Sequence, residues 1–126
     1  MQNPPKKILV VDDEEEMVLF LQKTLERQGY EVITARNGHE ALQYARCLEP
    51  DLMLLDIILP DLEGSKISAM LAEHPSTAKI PIIFLTGIIT KKGEDFLKKI
   101  TGKYDVLAKP LNATELFAKV SKILGS

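Results

Sequence analysis

The sequence predicts an α/β fold: a doubly wound parallel sheet of five strands, order 2-1-3-4-5, with five helices covering both faces. Three observations carry this prediction. Short apolar, β-branched runs alternate five times with segments of helical spacing, the pattern of parallel strands joined by right-handed crossovers. The third run, Leu52-Met53-Leu54-Leu55, is apolar throughout, as in a strand buried on both faces. Four of the five runs end in a polar side chain, and the carboxyl ends of strands are where an open parallel sheet binds ligands. The glycine fingerprint of dinucleotide-binding sheets is missing, which favours this strand order.

The elements follow in turn. Residues 1–6 are a polar lead-in containing Pro4 and Pro5 and are expected to be disordered. Residues 8–11 form the first strand, which runs into Asp12 and Asp13. Glu14, Glu15 and Glu16 suit the positive end of a helix, whose apolar face is Met17, Val18, Phe20, Leu21 and Leu25 and whose stop is Gly29. The second strand is 31–35. Asn37-Gly38 turns the chain into a helix over 39–48, with Ala41, Leu42, Ala45 and Leu48 on one face and Cys47 packed along it. The third strand ends in Asp56. A helix over 62–73 turns Ile67, Met70 and Leu71 inward, and 74–79 is a loop. The fourth strand, 80–85, ends in Thr86-Gly87, and a weaker basic helix covers 91–100. The fifth strand, 104–108, ends in Lys109-Pro110. Asn112 caps a last helix whose apolar face is Leu116, Val120, Ile123 and Leu124. Residues 7–124 thus read as one domain and 125–126 as a tail; the layering is that of a flavodoxin-like three-layer sandwich.

Composition narrows the function classes. The chain of 126 residues is 45% hydrophobic and 27% charged, ordinary for a soluble domain with its own core. A net charge of -2 gives no nucleic-acid footprint. No apolar stretch approaches the roughly 20 residues needed to span a bilayer, and the first residues lack a signal peptide's apolar segment. The one cysteine allows no internal disulfide and fits a cytoplasmic setting.

In a parallel sheet the strand ends share one edge, so Asp12, Asp13, Asp56, Thr86 and Lys109 should converge there. Three carboxylates placed together repel one another, and a hard divalent cation, Mg²⁺ or Mn²⁺, resolves the conflict. Asp13 and Asp56 are the expected direct ligands, with Asp12 acting through water. A carboxylate, a metal, an ammonium and a hydroxyl suit in-line phosphoryl transfer with Asp56 as nucleophile. Lys109 and the metal would neutralise the phosphoryl oxygens, and Thr86 would hydrogen-bond one of them.

These residues also carry a family resemblance. Ile8-Leu9-Val10-Val11-Asp12-Asp13, Leu54-Leu55-Asp56-Ile57-Ile58-Leu59-Pro60 with Gly64, Leu85-Thr86-Gly87 and Leu107-Ala108-Lys109-Pro110 appear in order. The chain thereby resembles the receiver domain of bacterial two-component response regulators from about residue 7 to 124. The resemblance implies that Asp56 takes phosphate from a sensor histidine kinase or phosphotransfer protein, or from a small donor such as acetyl phosphate. It implies that the main-chain carbonyl of Ile58 completes the metal shell and that the Lys109–Pro110 bond is cis. It implies that phosphorylation draws Thr86 and Gly87 inward. That movement would remodel the face of the fourth helix, fifth strand and fifth helix for a downstream protein, as a monomer or a phosphorylation-dependent dimer. Such a chain is a signalling switch and not an enzyme beyond its own phosphorylation and dephosphorylation.

Three positions depart from the family pattern. The aromatic switch position, three residues before Lys109, is Val106, and Tyr104 is not its match. The positions two after Asp56 and two after Thr86, commonly polar, are Ile58 and Ile88, which predicts slow loss of phosphate. Thr86 and Lys109 are 23 residues apart, one more than is typical, so the start of the helix at 91–100 should be unusual.

Two other readings compete. A small Mg²⁺-dependent phosphotransferase or phosphatase with an Asp nucleophile would place a second Asp two residues on, where Ile58 stands. It would also need a cap for its substrate. A receiver that docks without being phosphorylated would not need every acid and the lysine. Glu14 reads mainly as a solvated helix start, and His39 and His74 as surface residues.

Overall fold

The computed structural model describes residues 4–87 and 105–125. The predicted helix over 91–100, Ile88 and Tyr104 lie outside the described residues. Strands β1 (Lys7–Val11), β2 (Glu31–Ala35), β3 (Leu52–Asp56), β4 (Ile82–Thr86) and β5 (Asp105–Ala108) form one parallel sheet, order β2-β1-β3-β4-β5. Helices α1 (Glu15–Arg27), α2 (Gly38–Leu48), α3 (Gly64–Ala72), α4 (Pro75–Ala78) and α5 (Ala113–Leu124) connect or flank the strands.

Strand alternation divides the core in two. Leu9, Val11, Met53, Leu55, Ile82 and Phe84 point to one face and meet Ala41, Leu42 and Ala45 of α2 with Ile67 and Leu71 of α3. Ile8, Val10, Leu52, Leu54, Ile83, Leu85 and Leu107 point to the other, against Leu21 and Leu25 of α1 and Leu116 and Val120 of α5. Every residue of β3 and β4 is buried, which is why those segments are apolar up to their last residues, Asp56 and Thr86. Each fully buried Leu or Ile contributes about 1.5–3 kcal/mol relative to exposure.

The structure corrects several boundaries. The 74–79 segment holds the helical turn α4. Pro75 supplies the helical φ at its start, and the Thr77 hydroxyl, buried, donates to the Leu71 carbonyl at 2.7 Å. β4 begins at Ile82 because Pro81 has no N–H to give the ladder, although its carbonyl accepts from Met53 at 2.9 Å. α3 begins at Gly64 because the preceding residues fold back in an antiparallel bridge between Ile58 and Glu63. The inward stripe of α1 is Val18, Leu21 and Leu25, which leaves Phe20 outside and 40% exposed. Leu48 is the last residue of α2, before Glu49 turns the chain at φ 46°, and is exposed. Cys47 is also exposed: two residues past Ala45, it lies about 200° round the helix from that buried position.

Candidate functional site

The alternation that builds the core also aims the charged side chains. Asp12 continues the series Ile8, Val10; Asp56 continues Leu52, Leu54; Lys109 follows Leu107. All three therefore project on the α1–α5 side of the sheet. The ladder extends past the named strands to hold them there. The N–H of Asp12 donates to Ala35, that of Ile57 to Leu85 and that of Lys109 to Thr86, at 3.1, 3.1 and 2.8 Å. Thr86 falls on the opposite parity, with Ile82 and Phe84. Its side chain belongs to a buried strand end, and it is not among the residues that line the cleft.

That cleft, of about 760 Å³, is lined by Asp13, Glu14, Met17, Asp56, Ile58, Gly87, Lys109 and Pro110. Lys109 is its hub. The ammonium lies 2.7 Å from Asp12 Oδ2, 3.1 Å from Glu14 Oε1 and 3.2 Å from Asp56 Oδ2. Asp12 is wholly buried, and its Oδ2 is charge-paired to Lys109 yet off the line of a hydrogen bond. Its other oxygen accepts from the Glu14 N–H at 2.9 Å. Asp56 Oδ1 accepts from the Ile58 N–H at 3.1 Å. The Lys109–Pro110 peptide bond is cis. A Cβ added at Gly87 would touch Lys109 Cδ at only an ordinary 3.6 Å.

Burial raises the Asp56 carboxyl above its usual range, opposed by the Ile58 N–H and Lys109 and reinforced by the Asp12 charge. Burial would lower the Lys109 ammonium, but Asp12, Asp56 and Glu14 together push it far up. Among the described residues Asp12, Asp13, Glu14 and Asp56 share the cleft with the one ammonium of Lys109, so the pocket carries excess negative charge. One oxygen from each of Asp12, Asp13 and Asp56 lies within 4.8 Å of the others. Hard oxygen donors, a net negative pocket and a buried carboxylate oxygen lacking a hydrogen bond all fit a divalent cation.

The loop after Asp56 is folded tightly onto it. The Gly64 N–H donates to the Ile57 carbonyl at 2.7 Å. A Cβ at Gly64 would come within 2.9 Å of Ile57 Cα and 3.0 Å of the Asp56 carbonyl oxygen, so only glycine fits. Asp61 ties the same loop to α2. Its carboxylate accepts from the Gly38 N–H at 2.7 Å, from the His39 N–H at 3.0 Å and pairs with His39 Nδ1. Burial works against ionisation of Asp61, but the Gly38 N–H, the His39 ring and the His39 N–H together hold its carboxyl well below the usual carboxylate range.

The structure thus brings together Asp12, Asp13, Asp56 and Lys109, and places Gly87 and Pro110 at the rim. Ile58 stands at the rim with a 55% exposed side chain. Val106 is half-buried and packs against the α2–α3 core rather than the cleft. Sequence reasoning gave no role to Asp61 and left Glu14 as a solvated acid. Both make their contacts across long separations, 22 and 95 residues, which no local pattern signals.

Comparison with known proteins agrees with this geometry. The family profile for the response regulator receiver domain matches residues 8–121. The alkaline phosphatase synthesis transcriptional regulatory protein PhoP of Bacillus subtilis is 44% identical over 122 residues, covering 94% of this chain and 48% of that protein. The chain therefore spans about half the length of that relative. The polar-differentiation response regulator DivK of Brucella anthropi is 32% identical over 121 residues, covering 96% of this chain and 98% of its own length. Among solved structures, the signal receiver domain of a signal transduction histidine kinase from Syntrophus aciditrophicus superposes with a TM-score of 0.85 at 28% identity, over 95% of this chain and 90% of that one.

Proposed function

The chain belongs to the family of response regulator receiver domains of two-component systems, and from that premise we propose that Asp56 is the residue phosphorylated. The observation that supports this most directly is Lys109 Nζ, 3.2 Å from Asp56 Oδ2 inside a pocket of excess negative charge. The donor is a phosphohistidine on a sensor kinase or phosphotransfer protein. An Asp56 carboxylate oxygen attacks phosphorus, an O–P bond forms, the P–N bond breaks, and its electron pair stays on the imidazole, which takes up a proton. With acetyl phosphate the same oxygen displaces acetate.

Asp13 and Asp56 would hold Mg²⁺ or Mn²⁺ directly, with the Ile58 carbonyl, and Asp12 through water; when bound, the cation supplies charge neutralisation at the phosphoryl oxygens. Lys109 remains charged throughout and offers its protons to the incoming phosphoryl group. Asp12, 2.7 Å away, fixes where that ammonium sits. Thr86 stands outside the cleft lining, so its hydroxyl reaches a phosphoryl oxygen only after the end of β4 and Gly87 move. That movement is the switch, and its readout is a protein contact on the face that includes β5 and α5. The chain alone is a signalling module; no helix among the described residues is long and apolar enough to cross a membrane.

Incubation with Mg²⁺ and acetyl phosphate, followed by intact-mass measurement, tests the assignment. The expected result is one phosphate adduct that requires Mg²⁺ and is absent from Asp56→Asn. Continuous release of phosphate at many turnovers per second would instead favour a phosphatase, and no adduct would favour docking without phosphorylation.

A further inference from the structure

We propose that Glu14 is a positioning residue for Lys109 that also acts as a charge gate against small anionic phosphodonors; this rests on Asp56 being the phosphoacceptor. Glu14 occupies the N-cap position of α1 in extended conformation, φ -85° and ψ 113°, yet its side chain makes no cap hydrogen bond. N-caps favour short acceptors that fold back onto their own helix. Glutamate reaches instead across the cleft to the Lys109 ammonium, at 3.1 Å and 95 residues away. Its main chain is held at the site, because its N–H donates to Asp12 Oδ1.

An ammonium has three protons, and Lys109 faces three carboxylates: Asp12, Glu14 and Asp56. Two of its protons go to Glu14 and Asp56, and Asp12 holds it as a charge pair. An arriving phosphoryl oxygen competes with these contacts, and the three are unequal. Asp12 and Asp56 are buried, so releasing either strands a desolvated charge. The Glu14 side chain is 63% exposed, and exposed ion pairs are weak and quickly resolvated. The proton aimed at Glu14 is therefore the one handed to the phosphoryl group. Glu14 also lines the mouth beside Asp13, so its charge stands where a donor enters. Both effects oppose an anionic donor: one occupies the lysine, the other repels the approach.

The test compares wild type, Glu14→Gln and Glu14→Asp by initial rates of Asp56 phosphorylation at saturating Mg²⁺, over a range of ionic strength. Donors are acetyl phosphate and the less highly charged phosphoramidate. Glu14→Gln should raise the second-order rate with acetyl phosphate about threefold at low salt, the scale an exposed charge supports, and the gain should shrink toward high salt. The gain should be smaller with phosphoramidate. Glu14→Asp keeps the charge but falls short of Lys109, so it should recover only part of the wild-type restraint. A purely structural role at the α1 terminus would move thermal stability and leave the salt dependence unchanged. An unchanged or slower low-salt rate in Glu14→Gln overturns the proposal. If wild type takes up no phosphate under any condition, it is the assignment of Asp56 that fails, and the role of Glu14 falls with it.

Discussion

Ile58 is the residue whose chemistry is most at odds with its surroundings. It is apolar, 55% exposed and next but one to Asp56, the proposed phosphoacceptor, with its N–H on Asp56 Oδ1. A branched hydrocarbon there offers no group to orient an attacking water and covers part of its approach. Replacing it by Asn should shorten the half-life of phospho-Asp56 by about an order of magnitude, short of the roughly hundredfold or more of a general acid or base, because an amide orients water without taking its proton. Phosphate release from purified phosphoprotein, with and without Ile58→Asn, measures it; an equal or longer half-life in the variant would count against the role. At this scale the sequence was partly readable. Asp12, Asp13, Asp56 and Lys109 declare themselves because a charge at the end of an apolar run has no packing reason to be there. Glu14 does not, because three consecutive acids at a helix start look alike until one of them is seen on Lys109.

Among the elements, the β3–α3 connection is the most constrained. Gly64 is tied by its N–H to the Ile57 carbonyl and leaves no room for a Cβ beside the Asp56 carbonyl, and Asp61 spans to the start of α2. Gly64→Ala forces backbone apart at 2.9 Å and should lower stability by about 1–3 kcal/mol, as overpacking does. It should also weaken Mg²⁺ binding, since the displaced segment carries Ile58. Urea denaturation and calorimetric Mg²⁺ titration separate the two effects. Asp61→Ala should loosen the same loop with a smaller loss of stability. The Asp61 carboxyl is depressed in the fold, so its contribution is present above the unfolded-state pKa and disappears only as pH falls through its much lower folded value. The difference between wild type and Asp61→Ala should therefore be constant near neutral pH and vanish in strong acid. Apart from α4, whose residues read as a loop, the existence of the described elements was legible from periodicity, whereas their ends were not. Pro81 silences one ladder donor, and the Ile58–Glu63 bridge delays α3. Both are settled by neighbouring segments rather than by the local residues.

For the whole molecule, strand order followed from alternation and the missing glycine fingerprint, and the burial of β3 and β4 from uninterrupted apolar runs. Leu54→Ala, at a site with no exposure, should cost about 2–5 kcal/mol without touching the charged cluster. The excess of acids over Lys109 predicts a global effect of cation. Mg²⁺ at a hundredfold over its dissociation constant should stabilise the fold by about 2.7 kcal/mol. Asp13→Asn should abolish most of that gain while leaving the cation-free protein as stable or more so. Chemical denaturation with Mg²⁺ or a chelator reads both.

The shared parity of Asp12, Asp56 and Lys109 with Ile8, Leu54 and Leu107 has a consequence for how this site can change. A one-residue slip of β3 would turn Asp56 toward the α2–α3 face and Leu55 toward the α1–α5 face, inverting the whole strand against both helical layers. The proposed phosphorylation site therefore cannot be lost by a shift of register while the fold survives. Only substitution in place can silence it, leaving an intact domain free to be kept for its contacts alone.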